Sequence, residues 1–252
     1  MSCRKIKFRG KCKTTGEWFY GYLFKSDSGE RTHIKTNHKG CLNIDPDTVG
    51  ETTRNMKKIM FNDEAGLTKS VLERRKTQTR RLVPKDFFTL AWDERGDTLV
   101  YENEEGDFID IRDSKYAIFK VGEIVAIAQR YSEIGIEPFP FCENGWNNKM
   151  FVKPGLMPHQ IRITDVRVER LQDISDDDCL KEGVVVNEPK IKGGINMYYP
   201  CEYLRSCAKE VGWGRVFHTP REAFAELINN VSRKDVWQEN PYVFVYDFEL
   251  VD

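Results

Sequence analysis

The chain has no C-x-x-C pair, no apolar run near the roughly 18 residues that a membrane-spanning helix requires, no glycine-rich loop behind a strand-like segment, no repeat and no low-complexity tract. Each absence removes a class of protein. The seven cysteines (Cys3, Cys12, Cys41, Cys142, Cys179, Cys201 and Cys207) are an odd, scattered set. That pattern fits reduced thiols in a cytoplasm and not a disulfide framework or a zinc ribbon. His33, His38 and Cys41 lie close in sequence, but their spacing matches no standard zinc pattern and a fourth ligand is missing, so they read as a polar loop and no metal is expected. The opening MSCRKIKFRGK is basic with no apolar segment behind it, so no secretory leader is expected, and the missing apolar run argues against a membrane partner. Lysine and arginine number 39 against 40 aspartates and glutamates. No global field therefore draws in nucleic acid, and any polyanion site has to be local. Without a phosphate-cradling loop no cofactor is expected, and nothing in the sequence fixes an oligomeric state.

What is present suffices for one large or two modest domains over 252 residues. Ile6 and Phe8 alternate with Lys7 and Arg9, Thr15 and Gly16 supply a turn, and EWFYGYLF is rich in strand formers, so the first fifty residues read as a hairpin. After the turn-prone DPDTVG a boundary is placed near Thr53, giving a small β-rich module over residues 1–53 and a second domain over 54–252. A helix is expected from Asn62, with Leu67, Val71 and Leu72 on one side and Pro84 barring its continuation. Residues 93–115 are acidic and glycine-punctuated, an exposed excursion with little core of its own. VGEIVAIAQRY reads as a buried strand, and residues 133–159 as loops. In HQIRITDVRVERLQDIS the apolar phase slips at Thr164 and Asp165, which predicts a bulge. Ser175 and Asp178 start a short helix that Gly183 stops, and NEPKIKGGINMYYP reads as a long loop. Thr219, Pro220 and Glu222 begin a helix carrying Phe224, Leu227, Ile228 and Val231, and YVFVYDFELV closes the chain as a strand. The fold class is α+β, a barrel-like sheet with peripheral helices.

One stretch stands out. LERRKTQTRRL, residues 72–82, places five cations around two threonines and a glutamine. Cations at a helix C-terminus are favourable, which accounts for Arg74, Arg75 and Lys76 but not for Arg80 and Arg81 beyond the helix. The functional alternatives are a phosphate-binding patch or the edge of an active site.

Taken in order, KIMFND, LERRKTQTRRLVP, VGEIVAI, IRITDVRVERLQDISDDDCLKEGV and NPYVFVYDFEL resemble the ASCH domain, a relative of the PUA fold, in the long version found in phages and prophages. KIKFRGK, GEWFYGYL and DPDTVGE resemble the opening of the phage-associated YopX-like proteins, in truncated form. The resemblance implies a small β-barrel with flanking helices and a cleft that binds RNA or nucleotides. Some short members of the family are amidohydrolases acting on an acylated cytidine. Carried over residue by residue, the catalytic group is Lys76, Thr79 and Glu182. Arg74 stands where the family often has glycine, and GEIVAIAQRY replaces a run ending in Arg-Glu-Thr-Trp.

Two chemistries follow for this site. Arg75, Thr77, Gln78, Arg80, Arg81, Gln129 and Tyr131 are candidate ligand-binding residues for RNA or a nucleotide-like molecule, with Tyr131 and Trp146 as stacking surfaces. Amide hydrolysis is the alternative: desolvated Lys76 activates the Thr79 hydroxyl and Glu182 carries a proton. That arrangement calls for a tight turn over residues 76–79, because three positions along a straight strand put side chains on opposite faces. His159 reads as a structural histidine, and Asp176, Asp177 and Asp178 as a helix-start cluster. A third reading is a phage accessory protein whose N-terminal hairpin binds another protein.

Overall fold

Period-two aromatic patterning in the first fifty residues and the 3.6-residue periods further on give a mixed α+β protein. The computed structural model describes residues 8–16, 18–25, 32–36, 40–44, 50–51, 56–84, 90–92, 99–102, 105–135, 143–187, 195–211 and 215–251. The expected boundary near Thr53 lies outside the described residues, as does His38. The strands in chain order are β1 (Phe8–Lys11), β2 (Trp18–Lys25), β3 (Thr32–Thr36), β4 (Gly40–Ile44), β5 (Gly50–Glu51), β6 (Lys58–Ile59), β7 (Gln78–Leu82), β8 (Leu90–Trp92), β9 (Leu99–Glu102), β10 (Phe108–Asp110), β11 (Ile124–Ile127), β12 (Gln160–Arg170), β13 (Val185–Asn187), β14 (Met197–Tyr199) and β15 (Tyr242–Leu250). The helices are α1 (Leu67–Leu72), α2 (Glu143–Trp146), α3 (Asp176–Lys181), α4 (Glu202–Val211), α5 (Pro220–Ser232) and α6 (Val236–Glu239). No closed barrel is present among the described residues, and none of their helices is long and apolar enough to cross a membrane.

The chain divides into two units, Met1–Met60 with Val125–Gln160, and Phe61–Ile124 with Ile161–Asp252. In the first, β1 to β5 form an antiparallel sheet in the order β4-β3-β2-β1-β5. The expected hairpin is β1 with β2, closed where the Gly16 N–H donates to the Cys12 carbonyl at 2.8 Å and Gly16 adopts φ 71°, a value glycine reaches without strain. β6 pairs in parallel with β11, whose Val125, Ala126 and Ile127 are fully buried. A cluster of Ala126, Ala128, Tyr131, Val152 and Met157 forms a core here.

The second unit is organised by β12-β15-β7, all antiparallel. The predicted bulge lies between Ile163 and Asp165, where the register shifts by one residue against β15. Ile161, Ile163, Val166 and Val168 therefore share the phase of Phe244, Tyr246 and Phe248, while Asp165, Arg167 and Glu169 share that of Val243, Val245 and Asp247. On β7, Thr79 and Arg81 pair with Tyr246 and Phe244, whereas Gln78 and Arg80 pair with Asp247 and Val245. One sheet face is thus apolar and aromatic, and the other carries charged side chains into contact with α3 and α5.

The helices start where local chemistry allows. α5 has a full capping box: the Thr219 hydroxyl accepts from the Glu222 N–H and the Glu222 carboxylate accepts from the Thr219 N–H, each at 3.2 Å. α3 starts at Ser175, whose hydroxyl accepts from the Asp178 N–H. α1 starts later than its sequence suggests. Asn62 accepts the Ala65 N–H at 2.9 Å and Asp63 accepts the Thr68 hydroxyl at 2.7 Å, so a turn occupies 63–66 before the helix begins after Gly66. Two further expectations are revised. Leu99 and Ile111 are buried, so the acidic excursion, which supplies β9 and β10 of the β8-β9-β10 sheet, is anchored by apolar residues. The segment read as a long loop contains β14, paired with β13.

Candidate functional site

The route into β7 explains why Lys76 points where it does. α1 ends with Arg74 in the left-handed region, φ 60°, and the N–H groups of Arg75 and Lys76 both donate to the Ser70 carbonyl, at 2.9 and 3.0 Å. This wrap reverses the chain. The Thr77 N–H then donates to the Lys181 carbonyl at 3.0 Å, while the Thr77 carbonyl accepts the Phe248 N–H at 2.9 Å. Thr77 is thereby fixed between the end of α3 and β15, and Lys76 lies beside the residue that closes α3. That residue, Glu182, is followed by Gly183 at φ 111°, where a Cβ would come within 3.0 Å of Leu67 and 3.8 Å of the Lys76 side chain. Glycine is required there both for its backbone angle and for the approach of its neighbours.

Lys76 and Glu182 meet in the interior, 2 % and 5 % exposed. The Lys76 ammonium donates to Glu182 Oε2 at 2.6 Å and to the Glu182 backbone carbonyl at 2.7 Å, and it lies 5.9 Å from the Phe61 ring centroid. Arg80 donates to Glu182 Oε1 at 3.0 Å, to Glu169 Oε1 at 2.6 and 3.2 Å, and to Gln78 Oε1. Arg167 joins Asp178 at 2.7 Å, Glu169 at 3.3 Å and Asp247. Gln78 bridges Asp247 and Asp178 at 2.7 and 3.1 Å. The charges of β7, β12, β15 and α3 therefore close on one another, as buried charges must. Burial pushes the Lys76 ammonium below its ordinary value; Glu182 opposes this, while Arg81 and Arg80 reinforce it. Burial likewise lowers Arg81, against the pull of Glu182 and Tyr246.

The structure brings together Lys76, Gln78, Arg80 and Glu182. Arg81 feels the Glu182 charge from the other side of β7, the side it shares with Thr79. Thr79 is 5 % exposed, and its hydroxyl makes no hydrogen bond among the described residues. The chain does not turn between 76 and 79; Thr79 sits in the strand itself. Arg75 is exposed and paired with Glu73, and Thr77 is held through its backbone. Gln129 and Tyr131 belong to the first unit. Tyr131 is buried in that core, its hydroxyl accepting the Lys153 N–H at 2.8 Å, and Trp146 packs against the same cluster. The Gln129 N–H donates to Met157 sulfur at 3.2 Å.

Reading the sequence missed Glu169, Arg167, Asp178 as a charge anchor, and Asp247. The last carried a signal: an aspartate in the middle of YVFVYDFEL interrupts a run that packing alone would keep apolar. Compared with known proteins, the chain matches no family model, no curated protein and no solved structure.

Proposed function

We propose that this is an ASCH-type, PUA-like protein that takes up a nucleotide-like ligand where Lys76 and Glu182 come together. One observation carries the reading: the lysine and the glutamate that the resemblance marks, 106 positions apart, touch at 2.6 Å in the interior. The left-handed backbone at Arg74 also supports it, since glycine, the residue often found there in the family, is the one suited to that conformation. A phosphate track along the arginines has less support, because Arg80 spends its donors on Glu169, Glu182 and Gln78.

Amide hydrolysis at the same place is favoured by the lowered Lys76 ammonium, since the neutral amine is the form able to accept a proton from a nucleophile. Titrating the full chain with N4-acetylcytidine and cytidine, and following acetate release, tests both readings. Binding lost in both Lys76→Ala and Glu182→Gln, with circular dichroism unchanged, supports the site, and turnover supports the enzyme. Binding of a single-stranded RNA oligonucleotide that survives both substitutions and disappears with Arg75→Ala would place the ligand on the surface instead.

A further inference from the structure

The late start of α1 leaves a hollow beside it. The turn over 63–66, the start of α4 and the end of α5 enclose a cavity of about 170 Å³ that is open to solvent and shares no residue with the Lys76–Glu182 site. Its interior is apolar. Leu227, Asn230 and Val231 fall on one face of α5 through their three- and four-residue spacing, and Leu227 is buried. Pro200 and Cys201 are buried in the wall just before α4, where the Cys201 thiol takes up the N–H groups of Tyr203 and Leu204. Those donors of the helix start are therefore already used. About 150 Å³ of apolar cavity is enough for one benzene ring, so the hollow has room for a single ring or a branched chain of that size.

The polar groups at the rim point to one sign of charge. Glu64 has a carboxylate that is 84 % exposed, and its ion-pair partner Arg233, 83 % exposed, stands at 4.0 Å, a solvated contact that contributes little. The Asn230 amide nitrogen donates to the Glu226 carboxylate at 3.4 Å, which leaves its Oδ1 as an acceptor with no partner among the described residues. Asn230 and Val231 also lie in the last turn of α5, whose carbonyl end carries negative partial charge. None of the described side chains lining the cavity is cationic. A carboxylate, an amide oxygen and a helix carbonyl end around a ring-sized apolar hollow suit an ammonium group carried on a small apolar body.

We propose that this cavity binds a small organic amine, its ring or branched chain seated between Leu204, Leu227 and Val231 and its ammonium at Glu64 and Asn230. The inference is independent of any ligand at Lys76 and Glu182.

Benzylamine, benzyl alcohol and benzoate share one ring and differ in charge, and calorimetric titration of each into the full chain at neutral pH tests the proposal. Benzylamine binds, benzoate binds about tenfold more weakly or not at all, and benzyl alcohol falls between them. Glu64→Gln, at an exposed position, weakens benzylamine about threefold to fivefold and leaves benzyl alcohol unchanged. Val231→Phe plugs the hollow and abolishes benzylamine binding. Ala65→Leu plugs it from the turn instead, so a misfolded Val231→Phe does not end the test. The proposal is overturned if benzylamine does not bind the wild-type chain, if benzoate binds as tightly, if Glu64→Gln leaves the benzylamine Kd unchanged, or if binding survives in a folded plugged variant.

Discussion

Lys76 meets Glu182 twice, donating at 2.6 Å to the carboxylate and at 2.7 Å to the backbone carbonyl of the same residue. Removing the carboxylate leaves the buried Lys76 ammonium only a backbone carbonyl and takes away one of the carboxylates that Arg80 contacts. Glu182→Ala should cost about 3–5 kcal/mol, the range for breaking one half of a buried pair. The double variant Lys76→Met/Glu182→Leu should recover much of that loss. Urea unfolding of the three proteins checks both statements, and equal stability of Glu182→Ala and wild type would refute them.

Arg74 holds a left-handed conformation that disfavours side chains by about 1–2 kcal/mol. Arg74→Gly relieves it and forfeits only an exposed 3.3 Å hydrogen bond to the Leu250 carbonyl. A gain of about 0.5–1 kcal/mol is expected by the same unfolding measurement, less than the full strain because glycine loses more freedom on folding.

Asp178 governs the acid side. Burial pushes its carboxyl up, but hydrogen bonds from Lys181 and Gln78 and the charges of Arg167 and Lys181 outweigh this and hold it below the ordinary range. The folded form thus binds fewer protons than the unfolded chain, whose aspartates titrate near about 3.9. Its contribution is present above that pH and lost as the pH falls through the lower folded value. Stability measured from about pH 6 to 2 should fall less steeply in Asp178→Asn than in wild type; parallel curves would contradict this.

Cys179 is 0 % exposed, and burial pushes its thiol up to about 12. In native protein at pH 8 it should resist a thiol reagent such as iodoacetamide and react only after denaturation. Mass spectrometry of the labelled peptide reads the result directly.

Legibility in the sequence followed the range of the interactions. The Thr219 capping box, the Ser175 start, the bulge at Thr164–Asp165 and the closing strand rest on neighbours a few residues apart, and their patterns are visible in one line of text. The delayed start of α1 was not, because Asn62 and Asp63 can cap a helix or close a turn with the same atoms. Strand β14 was hidden because its partners, β13 and a bridge from Tyr198 to Phe217, lie across residues rich in turn formers. At the site, the resemblance singled out Lys76, Thr79 and Glu182 together, but the choice of face for Thr79 depends on where β7 begins, and that is decided by Ser70 and Lys181. The partners of Lys76 and Arg80 come from β12 and from α3 and its end, so a stretch that reads as five solvated cations conceals two that are buried against acids.

How β12 absorbs its single surplus residue decides which side of that strand is oily and which is ionic. Deleting Thr164 would leave an unbroken alternation, with Ile161, Ile163, Val166 and Val168 still on one side and the pairing to β15 kept. Straightening the strand with Thr164 in place would instead present Asp165 and Arg167 to Tyr246 and Phe244 and turn Val166 and Val168 toward the ionic layer.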